Sequence, residues 1–401
     1  MRILKGIIML MITVCLLIAV SCIFKSGNEK TPPSEQLIDG SKEPGTEQEP
    51  SPAASSPTPP VSSPEQGALS PTPAVPSPEQ AALSPAPEIE IEPVDYSKIQ
   101  PNESGDIPIV MFHNFVEDLN LTTDEDFTTS FDAFEKLLET LHSEGYRLIS
   151  MRDFIDHNIS VPAGTRPMVF TFDDGSSGQF NLIKENGKLV VNPKSAVGIM
   201  IKFNEKHPDF GLKGIFYLNM DKEEKTFEGA GTLKERLEIL TSCGFEVGNH
   251  SWGHFNFSGS KNREQIYERL GRNQKRLQEI IKGLSFYSLA LPHGGKAPEE
   301  LKDAMVQGEY EGARYFNETI MAVGSTPSVP SIHKDYNPGY VARIRSQGKN
   351  EIKFDLTYWL PNMTRARMYI SDGDPRTVVV PKGKESLIDP EKLNGKKLIT
   401  Y

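Results

Sequence analysis

From about residue 105 the chain alternates short apolar runs with longer segments whose apolar residues recur three and four apart. Ile107 to His113 reads as a strand, and Phe131 to Gly145 as a helix with Phe131, Phe134, Leu137, Leu138 and Leu141 on one face. Arg147 to Ile149 and the helical Met151 to His157 follow, then Met168 to Phe172, an apolar run rich in β-formers. After a polar, hairpin-like insertion around Asn186-Gly187 the alternation resumes, with helices over 195–206 and 232–243 and strands over 213–218 and 245–248. A long charged helix over 262–282 and the apolar run 286–291 complete it. Repeated strand-helix units imply a parallel sheet, and about seven of them in one domain favour closure. The expected fold is therefore α/β, a distorted seven-stranded (β/α) barrel. Past Gly312 the pattern weakens. Val341 to Ile344 fits one further barrel strand, while Ile352 to Trp359, Arg367 to Ile370 and Thr377 to Val380 predict short strands of a small β-rich C-terminal extension over 346–401.

The segment before this body reads differently. Arg2 and Lys5 precede an apolar stretch from Ile7 to Val20, the n-region and h-region of a secretory signal. Ala19-Val20-Ser21-Cys22 then resembles a bacterial lipobox, with Ala19 where Leu is usual. Residues 1–22 are expected to be a lipoprotein-type signal, with Cys22 carrying lipid and a membrane as partner; an uncleaved anchor or ordinary secretion are the alternatives. All three put the body outside the cytoplasm. Residues 31–95 hold 16 of the 31 prolines and no aromatic residue, and Ser63 to Pro71 recurs nearly unchanged as Ser77 to Pro85. Such a stretch cannot bury enough apolar surface to offset its ordering entropy, so residues 23–100 are expected to form a disordered tether.

Charge and cysteine content narrow the function. Residues 31–95 carry eleven acidic groups against Lys42 alone, which leaves residues 96–401 at only −4 of the total −11. The body has no basic footprint for nucleic acid, and a monomer is expected. With Cys15 in the signal and Cys22 lipidated, Cys243 stands alone and no intramolecular disulfide is expected.

The chemistry concentrates in two segments. Thr171-Phe172-Asp173-Asp174-Gly175 ends one strand, and Asn249-His250-Ser251-Trp252-Gly253-His254, beginning 75 residues beyond Asp174, follows another. Alone, Asp-Asp-Gly is an ordinary turn, and two His four apart suit a helix surface. Together they supply two carboxylates and two imidazoles at strand C-termini, where α/β enzymes build sites, and Trp252-Gly253 argues for a loop over a helix. His142, His157 and His207, in helical or Pro-adjacent polar contexts, are expected at the surface.

In this order and context the two segments resemble the polysaccharide deacetylases of the NodB-homology type, carbohydrate esterase family 4, over roughly residues 105–345. The resemblance implies a catalytic domain over 101–345 that hydrolyses N-acetyl, or O-acetyl, groups of an acetylated polysaccharide such as peptidoglycan. It implies one divalent metal, zinc before cobalt, nickel or manganese, held by Asp174, His250 and His254, with Asp173 as general base. A third segment, Ala290-Leu291-Pro292-His293-Gly294-Gly295, matches the family's groove-lining stretch at Pro292 and Gly294 and places His293 at its aromatic position. Ala290 stands where the family has an Arg that orients the base, so either another group compensates or activity is reduced. For the acid that protonates the leaving amine, His333 has a setting remotely like the family's, and His113, ending the first strand, is the competitor or a supporting neighbour. Trp252, Pro292, His293 and Gly294 are the expected substrate contacts, with Trp252 equally suited to packing. The alternative is a non-catalytic carbohydrate-binding or scaffolding lipoprotein that keeps the metal site.

Overall fold

In the computed structural model, which describes residues 94–401 apart from Glu125, Gln347 and residues 349–351, the strand-helix alternation closes on itself. Strands β1 (Ile109–Phe112), β2 (Tyr146–Leu148), β3 (Arg166–Asp173), β4 (Ile215–Leu218), β5 (Glu246–Asn249), β6 (Ser288–Ala290), β7 (Thr319–Met321) and β8 (Ile344–Arg345) form one parallel sheet. Its order is β7-β6-β5-β4-β3-β1-β8, with β2 added beside β3. A bridge between Met321 and Val341 joins the two ends, so seven strands curl into the distorted barrel that the repeat predicts. The signal segment, Cys22 and the tether up to residue 93 lie outside the described residues.

Alternating side chains give the barrel two cores, because successive residues of a strand face opposite sides of a sheet. Val169, Ile215, Tyr217, Ala290, Met321 and Val341 share the inner cluster. Phe170, Phe172, Phe216 and Val247 instead meet Phe134, Leu138, Leu237 and Leu240 of the surrounding helices. Each such fully buried side chain contributes roughly 1.5–3 kcal/mol relative to exposure. The helices α1 (Phe131–Ser143), α2 (Met151–Ile155), α3 (Ala196–Lys206), α4 (Leu233–Ser242) and α5 (Arg263–Ile280) each start at a polar residue. Ser130, Ser150, Ser195, Thr232 and Asn262 accept the N–H three residues on, a cap that stabilises a helix start by about 1 kcal/mol.

The sequence misjudges the ends of the body. Residues 94–100, read as tether, contain a helical turn at Tyr96–Ile99, capped by Asp95 and packed through Tyr96 on the ring of Tyr401. Ile352 to Trp359, read as a strand, gives a helix at Leu356–Asn362. The cause is local, since the Asp355 carboxylate accepts from the Tyr358 N–H and the Thr357 hydroxyl, fixing a helix start that β-forming residues then follow. Met368 and Ile370 make single bridges to Asp106 and Asn102, whereas Thr377–Val380 is a strand, paired in parallel with Lys397–Thr400. His157 is buried, its ring near Tyr369 of the C-terminal extension, while His142 and His207 remain partly exposed.

Candidate metal centre

Parallel register brings the two motif segments together. Asp173 pairs with Tyr217 across β3 and β4, and Leu218 with Asn249 across β4 and β5, so Asp174 and His250 leave the ends of the two strands that flank β4, at one level. The turns that follow are tight, with Asp174, Ser251 and His254 all in the left-handed region at φ of 82°, 64° and 47°. Non-glycine residues persist there only when their surroundings hold them. Three buried asparagines hold the turn at His250 and Ser251. Asn219 donates to the carbonyls of His250 and Ser251, Asn273 donates to Leu218 O and Asn249 Oδ1, and Asn249 accepts from the Ser251 N–H at 2.8 Å.

Asp174, His250 and His254 converge. Nε2 of His250 and of His254 lie 3.7 and 3.6 Å from one oxygen, Oδ1 of Asp174, and one ligand atom from each of the three residues falls within 4.8 Å of the others. Nδ1 of His250 is 3.0 Å from the Ala290 carbonyl, which can only accept, so the proton sits on Nδ1 and Nε2 presents a lone pair. That buried Nε2 has no hydrogen-bond partner among the described residues. A buried acceptor aimed at a carboxylate oxygen and a second imidazole is a donor set suited to a divalent cation. Burial pushes both imidazoles below their ordinary pKa against the pull of nearby carboxylates, which keeps them neutral, as ligands must be.

Asp173 lies beside this triad, fully buried. Burial pushes its carboxyl up, yet the charge of Arg343 and the two hydrogen bonds it donates outweigh burial and hold it below the usual carboxylate range. Arg343 is itself fully buried. Its Nη1 and Nη2 donate to Oδ1 and Oδ2 of Asp173, each at 2.8 Å, while Nη1 also reaches Thr171 Oγ1 and Nε donates to Ala322 O. A guanidinium fork thus fixes the rotamer of the carboxylate, which keeps lone pairs for a further partner. Ala290 leaves no cation from the third segment, and Arg343, at the start of the closing strand, supplies one. Sequence reasoning placed Val341 to Ile344 in a barrel strand but missed this role.

The other expected residues separate. His113 is in the site, its Nε2 3.9 Å from Asp173 Oδ2, its ring against Phe127, and its buried Nδ1 without a hydrogen-bond partner among the described residues. Gln179, which no motif signals, fastens the loop by donating to the carbonyls of both His113 and Asp173. His293 is exposed with its ring 4.4 Å from that of His254, whereas Pro292 is buried and the Gly294 N–H is engaged by Leu291 O. Trp252 turns to α5, with the Arg272 guanidinium 4.2 Å above its ring. His333 packs against the C-terminal extension. It bridges Ile388 and accepts the Asp335 N–H on Nδ1, and none of its contacts among the described residues is with Asp173, Asp174, His250 or His254. Its downstream flank makes turns with that extension, which is why the expected acid position is not met.

Residues 160–312 match the family model described as polysaccharide deacetylase. No curated protein matches the chain. Similar solved structures include a polysaccharide deacetylase from Bacillus cereus, 17% identical with a TM-score of 0.48, covering 65% of this chain and 69% of that one. A Streptococcus pyogenes deacetylase in complex with acetate is 15% identical at a TM-score of 0.48, covering 65% and 98%. IcaB from Ammonifex degensii is 16% identical at 0.44, covering 62% and 94%.

Proposed function

We propose that this chain, a member of the polysaccharide deacetylase family over residues 160–312 and so a hydrolase acting on carbon-nitrogen bonds, removes N-acetyl groups from an amino-sugar polymer of the cell envelope. The observation that carries the reading is the clamped carboxylate of Asp173 beside the Asp174, His250 and His254 triad. A scaffold that had lost catalysis would not need a buried cation to keep a carboxylate ionised. That pair favours the enzyme over the binding-protein alternative.

Asp174, His250 and His254 would hold a divalent ion, zinc by their nitrogen and oxygen donors, and such an ion would supply Lewis-acid polarisation and a lowered pKa for water. Asp173 accepts the proton of the attacking water, since Arg343 keeps it ionised and fixed in direction. His113, 3.9 Å from Asp173 and with a ring nitrogen that has no hydrogen-bond partner among the described residues, passes a proton to the departing amine. His293, exposed at the rim beside His254, meets the sugar. The signal segment and tether are proposed to hold the domain outside the cytoplasm through lipid on Cys22, a reading that rests on the lipobox-like residues and that loss of lipid labelling in Cys22→Ser would test.

Amine release should be followed with chito-oligosaccharides and peptidoglycan fragments, and acetate release with acetylated xylan, using the zinc-loaded full chain. The reading expects amine release that needs the metal and fails with Asp173→Asn. Equal inertness of wild type and variant on every substrate would return the chain to the binding-protein alternative, and turnover confined to xylan would make it an esterase.

A further inference from the structure

Lys222 reaches the same carboxylate that the two imidazoles face. Its Nζ donates to the main-chain oxygen of Asp174 at 2.9 Å and lies 3.7 Å from Oδ1, the oxygen that stands 3.7 and 3.6 Å from His250 and His254. No motif or composition signal draws attention to it. A lysine stem ordinarily extends to water, so an ammonium turned onto a metal-ligand carboxylate has to be held there.

The segment that carries it is held on both sides. Met220–Lys225 follows β4 as a 3₁₀ turn that kinks at Glu223, whose φ is 50°. The Met220 N–H donates to Asn273 Oδ1, the Asp221 carboxylate accepts from the Gly253 N–H in the His250–His254 loop, and Arg276 of α5 grips Glu223. Glu224 is gripped in turn by Arg236 of α4. The neighbours of Lys222 in the turn are thus tied to α5, to the His250–His254 loop and to α4, and the lysine alone is directed at the triad. Its charge acts on both Asp174 and His254.

From this geometry we propose that Lys222 is a fixed positive charge set against the metal triad, a positioning residue that lowers its affinity for a divalent cation and draws the electron density of Asp174 away from the ion. The inference rests on the triad being a metal site. With the lysine side chain 37% exposed, water screens the ammonium only in part, and a dication sharing Oδ1 feels its repulsion. The consequence is a site that holds its metal less tightly than its three donors alone would, in exchange for a less basic carboxylate and a more electrophilic ion.

Zinc affinity, measured by competition with a chromogenic chelator on the metal-free full chain, tests this in wild type, Lys222→Met and Lys222→Arg. The stem-preserving Lys222→Met should bind zinc on the order of tenfold more tightly than wild type, and Lys222→Arg, which keeps the charge, should stay near wild type. The cobalt spectrum of Lys222→Met should be unchanged, since the donors are. Equal affinity in wild type and Lys222→Met overturns the proposal, and weaker binding in Lys222→Met overturns it in favour of a buttress for the Asp174 carbonyl. If wild type binds no zinc, the metal reading itself fails, a result distinct from either of these.

Discussion

Arg343 holds Asp173 by two parallel hydrogen bonds, Nη1 to Oδ1 and Nη2 to Oδ2, both 2.8 Å, in a pocket closed to solvent. The two residues stand 170 positions apart and meet because the last strand of the barrel lies beside the first. The relationship decides the charge state of Asp173: burial alone would protonate the carboxyl, and the guanidinium reverses that.

Removing the guanidinium should move the pH dependence of catalysis. In wild type Asp173 stays ionised well below neutrality, so it does not set the acid limb of kcat/KM. In Arg343→Met burial is unopposed, its pKa rises, and activity should fall away at a higher pH than in wild type. Arg343→Lys keeps charge but loses the fork, and should lower kcat on the order of 10²-fold through misplacement. Profiles of kcat/KM against pH for the three proteins check both statements.

The same pair should be coupled in stability. Either single removal leaves a buried charge unpaired, a change that typically costs about 3–5 kcal/mol. Replacing both residues, as Asp173→Asn with Arg343→Met, removes both charges, so its loss should fall short of the sum of the singles by about 1–3 kcal/mol. Urea unfolding of the four proteins gives the coupling, and strict additivity would contradict the clamp.

His113 and His333 should behave oppositely. His113→Asn should lower kcat by about 10²-fold or more, the scale of a lost proton donor. His333 bridges the extension at Ile388 and accepts from the Asp335 N–H, so His333→Asn should leave turnover within about twofold while lowering the unfolding midpoint. A large kcat loss in His333→Asn with an unchanged midpoint would reopen the assignment of the acid.

Acid should destabilise the chain through His157. Burial, with a smaller contribution from Lys396, pushes this imidazole down to about 3. The unfolded chain, with an ordinary pKa of about 6.5, therefore binds a proton that the native state refuses. Stability should be full above that value and fall by up to about 1.4 kcal/mol per pH unit as pH drops from 6.5 toward 3. His157→Asn tolerates the backbone φ of 51° and should show a shallower decline in denaturant titrations across that window.

The triad and Asp173 were legible because their chemistry is written in contiguous residues at strand ends. The barrel was legible because its period repeats. Arg343 was not, since one arginine in an apolar run carries no sign of a partner across the closing seam. Asn219, Asn249 and Asn273 are likewise scattered and become one network only when β4, β5 and α5 pack. His157 sits in a polar stretch, and Tyr369 of a segment folded over it decides its burial. The Leu356–Asn362 helix was hidden by its aromatic content, although Asp355 carried the start signal.

One comparison separates the base proposed at Asp173 from the metal ligand proposed at Asp174. Zinc content and acetate release from an N-acetylglucosamine oligomer should be measured together for wild type, Asp173→Asn and Asp174→Asn. The account predicts that Asp173→Asn keeps its zinc and loses about 10²–10⁴-fold in kcat, whereas Asp174→Asn loses the metal and the activity together. Wild-type turnover in Asp173→Asn, or full zinc occupancy in Asp174→Asn, would contradict it.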